Sequence, residues 1–137
     1  MDIDALWAAT LPQVIGRAAH ELKDALNGVT LNLEVLRSRS ASGKGDAKSL
    51  ESFAKAASDQ LETLTARTEA VLFLARPQKG AADVAMTLKR LAVLLVPAAK
   101  ADRITLTVEG YDVSMPTAAG PVAVQLALAS GLLALIK

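Results

Sequence analysis

Ile15-Gly16-Arg17-Ala18-Ala19-His20-Glu21-Leu22-Lys23-Asp24-Ala25-Leu26-Asn27-Gly28-Val29-Thr30-Leu31-Asn32-Leu33-Glu34-Val35-Leu36 is the stretch that decides the fold. Its apolar positions Ile15, Ala19, Leu22, Leu26, Val29, Leu33 and Leu36 step by 4, 3, 4, 3, 4 and 3. Alternating steps of this kind are the seam of a coiled coil or helix bundle, because they keep returning to one side of a helix. The helical pattern extends from about residue 4 to residue 38. Pro12 is expected in its first turn, where a missing N–H costs little.

Working outward, Ser38-Arg39-Ser40-Ala41-Ser42-Gly43-Lys44-Gly45-Asp46 is small, polar and glycine-containing, and reads as a loop. A second helical stripe follows at Leu50, Phe53 or Ala54, Ala57, Leu61, Leu64, Thr68, Val71 and Ala75. Pro77 is expected to close that helix, since a residue before proline is pushed out of the α region. Two helices, each about 40 to 50 Å long at 1.5 Å per residue, joined by a short loop make an antiparallel hairpin. A single hairpin cannot bury a seam of that length, so the pattern predicts a homodimer that closes a four-helix bundle.

Beyond the hairpin the pattern switches. Asp83 is expected to cap a helix carrying Val84, Leu88, Leu91, Leu94 and Leu95, which stops near Pro97 or Ala101. Arg103-Ile104-Thr105-Leu106-Thr107-Val108-Glu109 alternates apolar and polar side chains and reads as a strand, with Val113-Ser114-Met115 as a short second one. Pro121 then opens a last helix over residues 122–137. The fold class is therefore mainly α: residues 1–78 form the dimerising hairpin, and residues 79–137 a small α+β unit of helix, two strands and helix.

Composition narrows the chemistry. The 137 residues are 52% hydrophobic but only 3% aromatic, and contain no cysteine and one histidine. Disulfides, thiolate zinc sites and cysteine nucleophiles are excluded, and a metal cage rich in histidine with them. A formal net charge of +1 gives no reason to expect nucleic acid or an anionic membrane as partner. The amino terminus lacks the basic start and apolar run of a signal peptide. The apolar stretch at residues 122–136 is shorter than the roughly 20 residues needed to span a bilayer. A soluble, cytoplasmic protein is expected. Ser42-Gly43-Lys44-Gly45 lacks the spacing of a phosphate-binding loop.

The single histidine follows a seam position, so its ring lies beside the apolar stripe. Asp24 at i+4 and Asn27 at i+7 share its helix face, and Glu21 is adjacent. A neutral imidazole held through one ring N–H by a carboxylate presents its other nitrogen as a nucleophile. The same residues also read as an ordinary exposed histidine among surface charges.

His20-Glu21-Leu22-Lys23-Asp24-Ala25-Leu26-Asn27-Gly28 resembles the H-box of two-component sensor histidine kinases, His-Glu-Leu-(Lys/Arg)-Asn-Pro-Leu. In that family the box lies on the first helix of a hairpin that dimerises into a four-helix bundle. The resemblance implies that His20 accepts a phosphoryl group and that Glu21 is its acid/base partner. Asp24 stands where the family has the Asn or Thr that positions a hydrolytic water, and Ala25 stands where it has proline. Residues 83–137 resemble the opening of the kinase ATP-binding domain. In Gln125-Leu126-Ala127-Leu128-Ala129-Ser130-Gly131-Leu132-Leu133-Ala134, aligning the glutamine puts Ala129 and Leu133 where the family has its two asparagines. Neither side chain offers oxygen to magnesium.

Three functions are compatible with these features. The first is a histidine phosphotransfer protein that exchanges a phosphoryl group with an aspartate on a response-regulator receiver domain. It needs no cofactor or ATP of its own, because the receiver supplies Mg2+. The second is a fragment or decayed form of a sensor histidine kinase. The third is a non-catalytic dimeric helical-bundle binding module. The first accounts for both the retained His20-Glu21 pair and the absent asparagines.

Overall fold

The computed structural model describes residues 1–76 and 79–137. Pro77, expected to end the second helix, and the expected domain boundary at residue 78 lie outside them. In chain order the elements are α1 (Ile3–Ser42), α2 (Ala47–Ala75), β1 (Ala82–Asp83), α3 (Val84–Ala101), β2 (Pro116–Thr117) and α4 (Pro121–Leu135). The protein is mainly helical with one small antiparallel sheet, β1 on β2, in which Ala82 faces Thr117 and Asp83 faces Pro116.

Side-chain caps explain the starts of the first two helices. Asp2 Oδ1 accepts from the Ala5 N–H at 3.1 Å, and Asp46 Oδ1 accepts from the Ser49 N–H at 2.7 Å. Gly43 and Gly45 turn the chain between them at φ of 64° and 111°, a region open to glycine at little cost. Pro12 corrects the sequence reading: α1 already begins at Ile3, so the proline lies inside the helix and not in its first turn. Its ring removes the N–H that Ala8 C=O would accept. The helix carries on through it, and Pro12 is exposed.

By compactness the chain forms two units, Glu21–Ala66 and Met1–His20 with Arg67–Lys137. Within Glu21–Ala66, α1 and α2 run antiparallel. Asn32 Nδ2 donates to Gln60 Oε1 at 2.8 Å, and Arg39 donates to Ser49 Oγ at 3.3 Å while its guanidinium lies 5.0 Å from the Phe53 ring centre. Gly28 allows this crossing, because the Gln60 amide occupies the space a Cβ would take.

The seam divides into two heptad rows. Ile15, Leu22, Val29 and Leu36 on α1, and Leu50, Ala57, Leu64 and Val71 on α2, are buried or half-buried. The alternate positions Ala19, Leu26, Leu33, Ala54, Leu61, Thr68 and Ala75 are exposed, with Leu26, Leu33 and Leu61 at 53%, 50% and 53%. A lone chain thus buries one row of each helix. Near the amino terminus the most buried positions of α1 are Trp7, Val14 and Ala18, so Ala18 at 1% exposure, and not Ala19, is the packed alanine.

The larger unit holds the main core, with Leu74, Leu91, Leu94, Leu95 and Ile136 each at most 2% exposed. Trp7 Nε1 donates to the Leu74 carbonyl at 3.3 Å, and Arg17 pairs with Asp102 at 3.2 Å. Asp83 organises the carboxyl-terminal part. Its Oδ1 accepts from the Ala85 and Met86 N–H groups, capping α3, and from the Met115 N–H at 2.9 Å; its Oδ2 accepts from Ser114 Oγ at 2.7 Å. The Val84 N–H returns to the Met115 carbonyl at 2.9 Å. α3 passes through Pro97 and ends in a Schellman turn: the Ile104 N–H reaches Ala99 C=O at 2.8 Å and the Arg103 N–H reaches Lys100 C=O at 3.0 Å. Arg103 occupies the left-handed position, φ 62°, where glycine is usual.

The two expected strands are corrected. Residues 104–109 keep the predicted alternation, with Ile104, Leu106 and Val108 half-buried and Thr105, Thr107 and Glu109 exposed, but no strand pairs with them. The sheet is formed instead by the residues flanking the Asp83 cap, because the bonds to Ser114 and Met115 bring residues 116–117 alongside residues 82–83. α4 begins with Pro121 at its first turn, as expected.

Two outcomes follow from this packing. Arg103→Gly relieves the left-handed strain and raises unfolding free energy by about 1 kcal/mol in urea titrations. The Ser114 hydroxyl, followed by the Met115 N–H, holds the Asp83 carboxyl below the usual carboxylate range. Its folded pKa is depressed, so its contribution is complete above the unfolded value and is lost as pH falls through the folded one. Asp83→Ala therefore lowers the thermal midpoint at neutral pH, and its gap from wild type narrows as pH falls through and below the usual carboxylate range.

Candidate functional site

All three sequence-predicted site residues lie on α1, well inside its 40 residues. His20 is exposed, Glu21 half-buried and Asp24 exposed. Helical geometry puts His20, Asp24 and the exposed Asn27 on one side of α1, since positions three and four apart are neighbours on a helix surface. The adjacent Glu21 is rotated by about 100° and falls towards the packed side. α1 has no break at Ala25, the position where the H-box pattern has proline.

An exposed imidazole on a continuous helix has two properties useful for group transfer. Solvent and a partner surface can approach it, and its backbone is fixed by hydrogen bonds on either side. Lys23, one turn on, was legible as a neighbouring cation. Arg17, one turn before His20, was missed, although the i−3 spacing carries the signal. Its side chain is 38% exposed and its guanidinium is held by Asp102, the C-cap of α3. The guanidinium is thereby fixed on the turn preceding the histidine as one half of an ion pair.

The positions aligned with the kinase asparagines have a different environment. Ala129 is fully buried and Leu133 is 7% exposed, and α4 packs both into the core beside α3. Gln125, the anchor of that alignment, is 2% exposed. These residues fill volume in the interior. Among the described residues no group of three or more His, Asp or Glu side chains is arranged to hold a metal ion. No helix among them is long and apolar enough to cross a membrane.

A concave surface lies elsewhere, in the larger unit. A groove of about 450 Å³ runs beside α3 and the extended residues 104–109, lined by Val93, Val96, Pro97, Leu106, Val108 and Lys89 among others. Its walls are mainly apolar. No protein-family model, no curated protein and no solved structure matches the chain.

Proposed function

We propose that the chain is a dimeric histidine phosphotransfer protein, with His20 as the residue that carries the phosphoryl group. The observation that carries the reading is an exposed His20, within His20-Glu21-Leu22-Lys23-Asp24, at mid-helix on a hairpin whose outer heptad row is unburied. A ring nitrogen of His20 attacks the phosphorus of an aspartyl phosphate on a response-regulator receiver domain. The P–N bond forms as the P–O bond to the aspartate breaks, and the carboxylate leaves with the electron pair. The remaining ring N–H keeps its proton, and Glu21 stabilises the charge that develops on the imidazole. Lys23 offsets the added negative charge. The reaction is reversible, and Mg2+ belongs to the receiver's site. In this reading the phosphoryl donor is a partner protein and not ATP bound to this chain.

Dimerisation completes the proposal. A second hairpin laid against the outer row covers Leu26, Leu33 and Leu61 on each chain. Burial of a leucine that is half exposed contributes about 1 kcal/mol, so six such side chains offset much of the cost of association. The pair of hairpins would form a cytoplasmic four-helix bundle with one His20 on each side.

Incubation with a receiver domain labelled by radioactive acetyl phosphate is expected to transfer an acid-labile, base-stable label to this protein. His20→Ala abolishes the label, and Glu21→Gln slows transfer by about 100-fold. A label that survives His20→Ala, or none from any receiver of the same organism, overturns phosphotransfer and leaves a helical binding module. For the bundle, sedimentation at micromolar concentration is expected to give a dimer or a larger assembly, and Leu26→Lys with Leu33→Lys is expected to lower its mass while the protein stays helical. A wild-type monomer at that concentration refutes the association.

A further inference from the structure

Residues 104–109 run without a turn or bend and have no strand neighbour among the described residues. They are bounded by two residues in the left-handed region, Arg103 at φ 62° and Gly110 at φ 83°, which leaves six extended residues between them, an ordinary strand length. Side-chain burial alternates along the whole segment. Yet among the described residues, positions 105–113 make no backbone–backbone hydrogen bond. Such a row of unpaired N–H and C=O groups is a template for another strand. The groove of about 450 Å³ beside it supplies an apolar floor, with Val93 and Val96 of α3 next to Leu106 and Val108. Close by, Val113 and Met115 remain 65% and 45% exposed.

The segment is complementary to itself when reversed. With Leu106 opposite its own copy, Thr105 faces Thr107 and Ile104 faces Val108, and Arg103, in the turn just before the run, is brought near Glu109. Every pair matches in kind: leucine with leucine, hydroxyl with hydroxyl, β-branched with β-branched, cation with anion. A parallel arrangement, or one shifted by a single residue, would set apolar side chains against polar ones or like charges together. We propose that this strand pairs antiparallel with the same strand of a second copy of the chain, about a two-fold axis through Leu106. The contact is isologous, so it closes on two copies. It is separate from the hairpin seam and independent of the phosphotransfer reading.

The absence of cysteine makes the register directly testable, because any introduced thiol is the only one in the chain. Directly opposite residues in an antiparallel pair bring Cβ atoms within about 5 Å, which suits a disulfide. In the full chain under mild oxidation, Leu106→Cys is expected to form a covalent dimer. An equimolar mixture of exposed Thr105→Cys and Thr107→Cys proteins is expected to cross-link at least fivefold more than either alone, and Val113→Cys remains at background. As a second arm, Arg103→Glu or Glu109→Arg weakens the contact about tenfold in cross-linking yield against concentration, and the double reversal restores it. The surface positions 105 and 107 keep the test valid should Leu106→Cys fail to fold. Equal cross-linking by each thiol alone, no cross-linking in the mixture, or no recovery in the charge-reversed double variant overturns the proposal.

Discussion

A helix whose apolar residues step by three and four carries two heptad rows, and one antiparallel neighbour can cover only one of them. This geometric constraint governs the first half of the chain. In the hairpin, Leu22, Val29 and Leu36 turn inward with Leu50, Ala57 and Leu64, whereas Leu26, Leu33 and Leu61 face solvent. Ala57 on the inner row and Gly28 beside it let the helices approach. Gly28 goes furthest, giving its space to the Gln60 amide, which in turn accepts from Asn32. A polar pair inside an otherwise aliphatic seam fixes one register of α1 against α2, because any slide along the seam strands its donor and acceptor.

The carboxyl-terminal part is held by a different device. One carboxylate, Asp83, serves both as helix cap and as anchor for a loop more than thirty residues away. By fastening residues 114–115 to the start of α3, it closes a path that would otherwise need a larger sheet. The segment at residues 105–109 then makes no backbone ladder bonds among the described residues, and its alternating burial is set by packing beside α3. Helix packing alone therefore stabilises an element that usually depends on lateral partners.

Much of this was legible in the residues, and the failures have physical causes. Long periodic segments located α1, α2, α3 and α4 to within a few residues, because thirty residues of apolar spacing outweigh local ambiguity. Asp83 and Pro121 were recognised as helix starts from cap chemistry. Pro12 misled because propensity favours it at an N-terminus, while α1 had already been opened by the Asp2 cap. The strands were misplaced because alternation reports an extended backbone with one packed face and carries no information about hydrogen-bond partners. The partners were decided by Asp83, through contacts 31 and 32 residues apart. At the candidate site, His20, Glu21 and Asp24 came from a local string, whereas Arg17 acquires its fixed position only through Asp102, 85 residues away. Tertiary partnerships of this kind leave no mark in a short window of sequence.

The indole of Trp7 and the carbonyl of Leu74 meet across 67 residues of chain. Closing a free loop of that length costs about 4 kcal/mol in chain entropy, far more than one neutral hydrogen bond returns. The cost falls when the arms join progressively from the glycine turn: Arg39 finds Ser49 ten residues on, then Asn32 finds Gln60 28 residues on. Each closure shortens the next, so the Trp7 contact adds only a small increment at the end of a zipper. The amino-terminal turns of α1 are held in the larger unit by buried Trp7, Val14 and Ala18. The chain's sole tryptophan stands at that end, a built-in reporter of whether the zipper is closed.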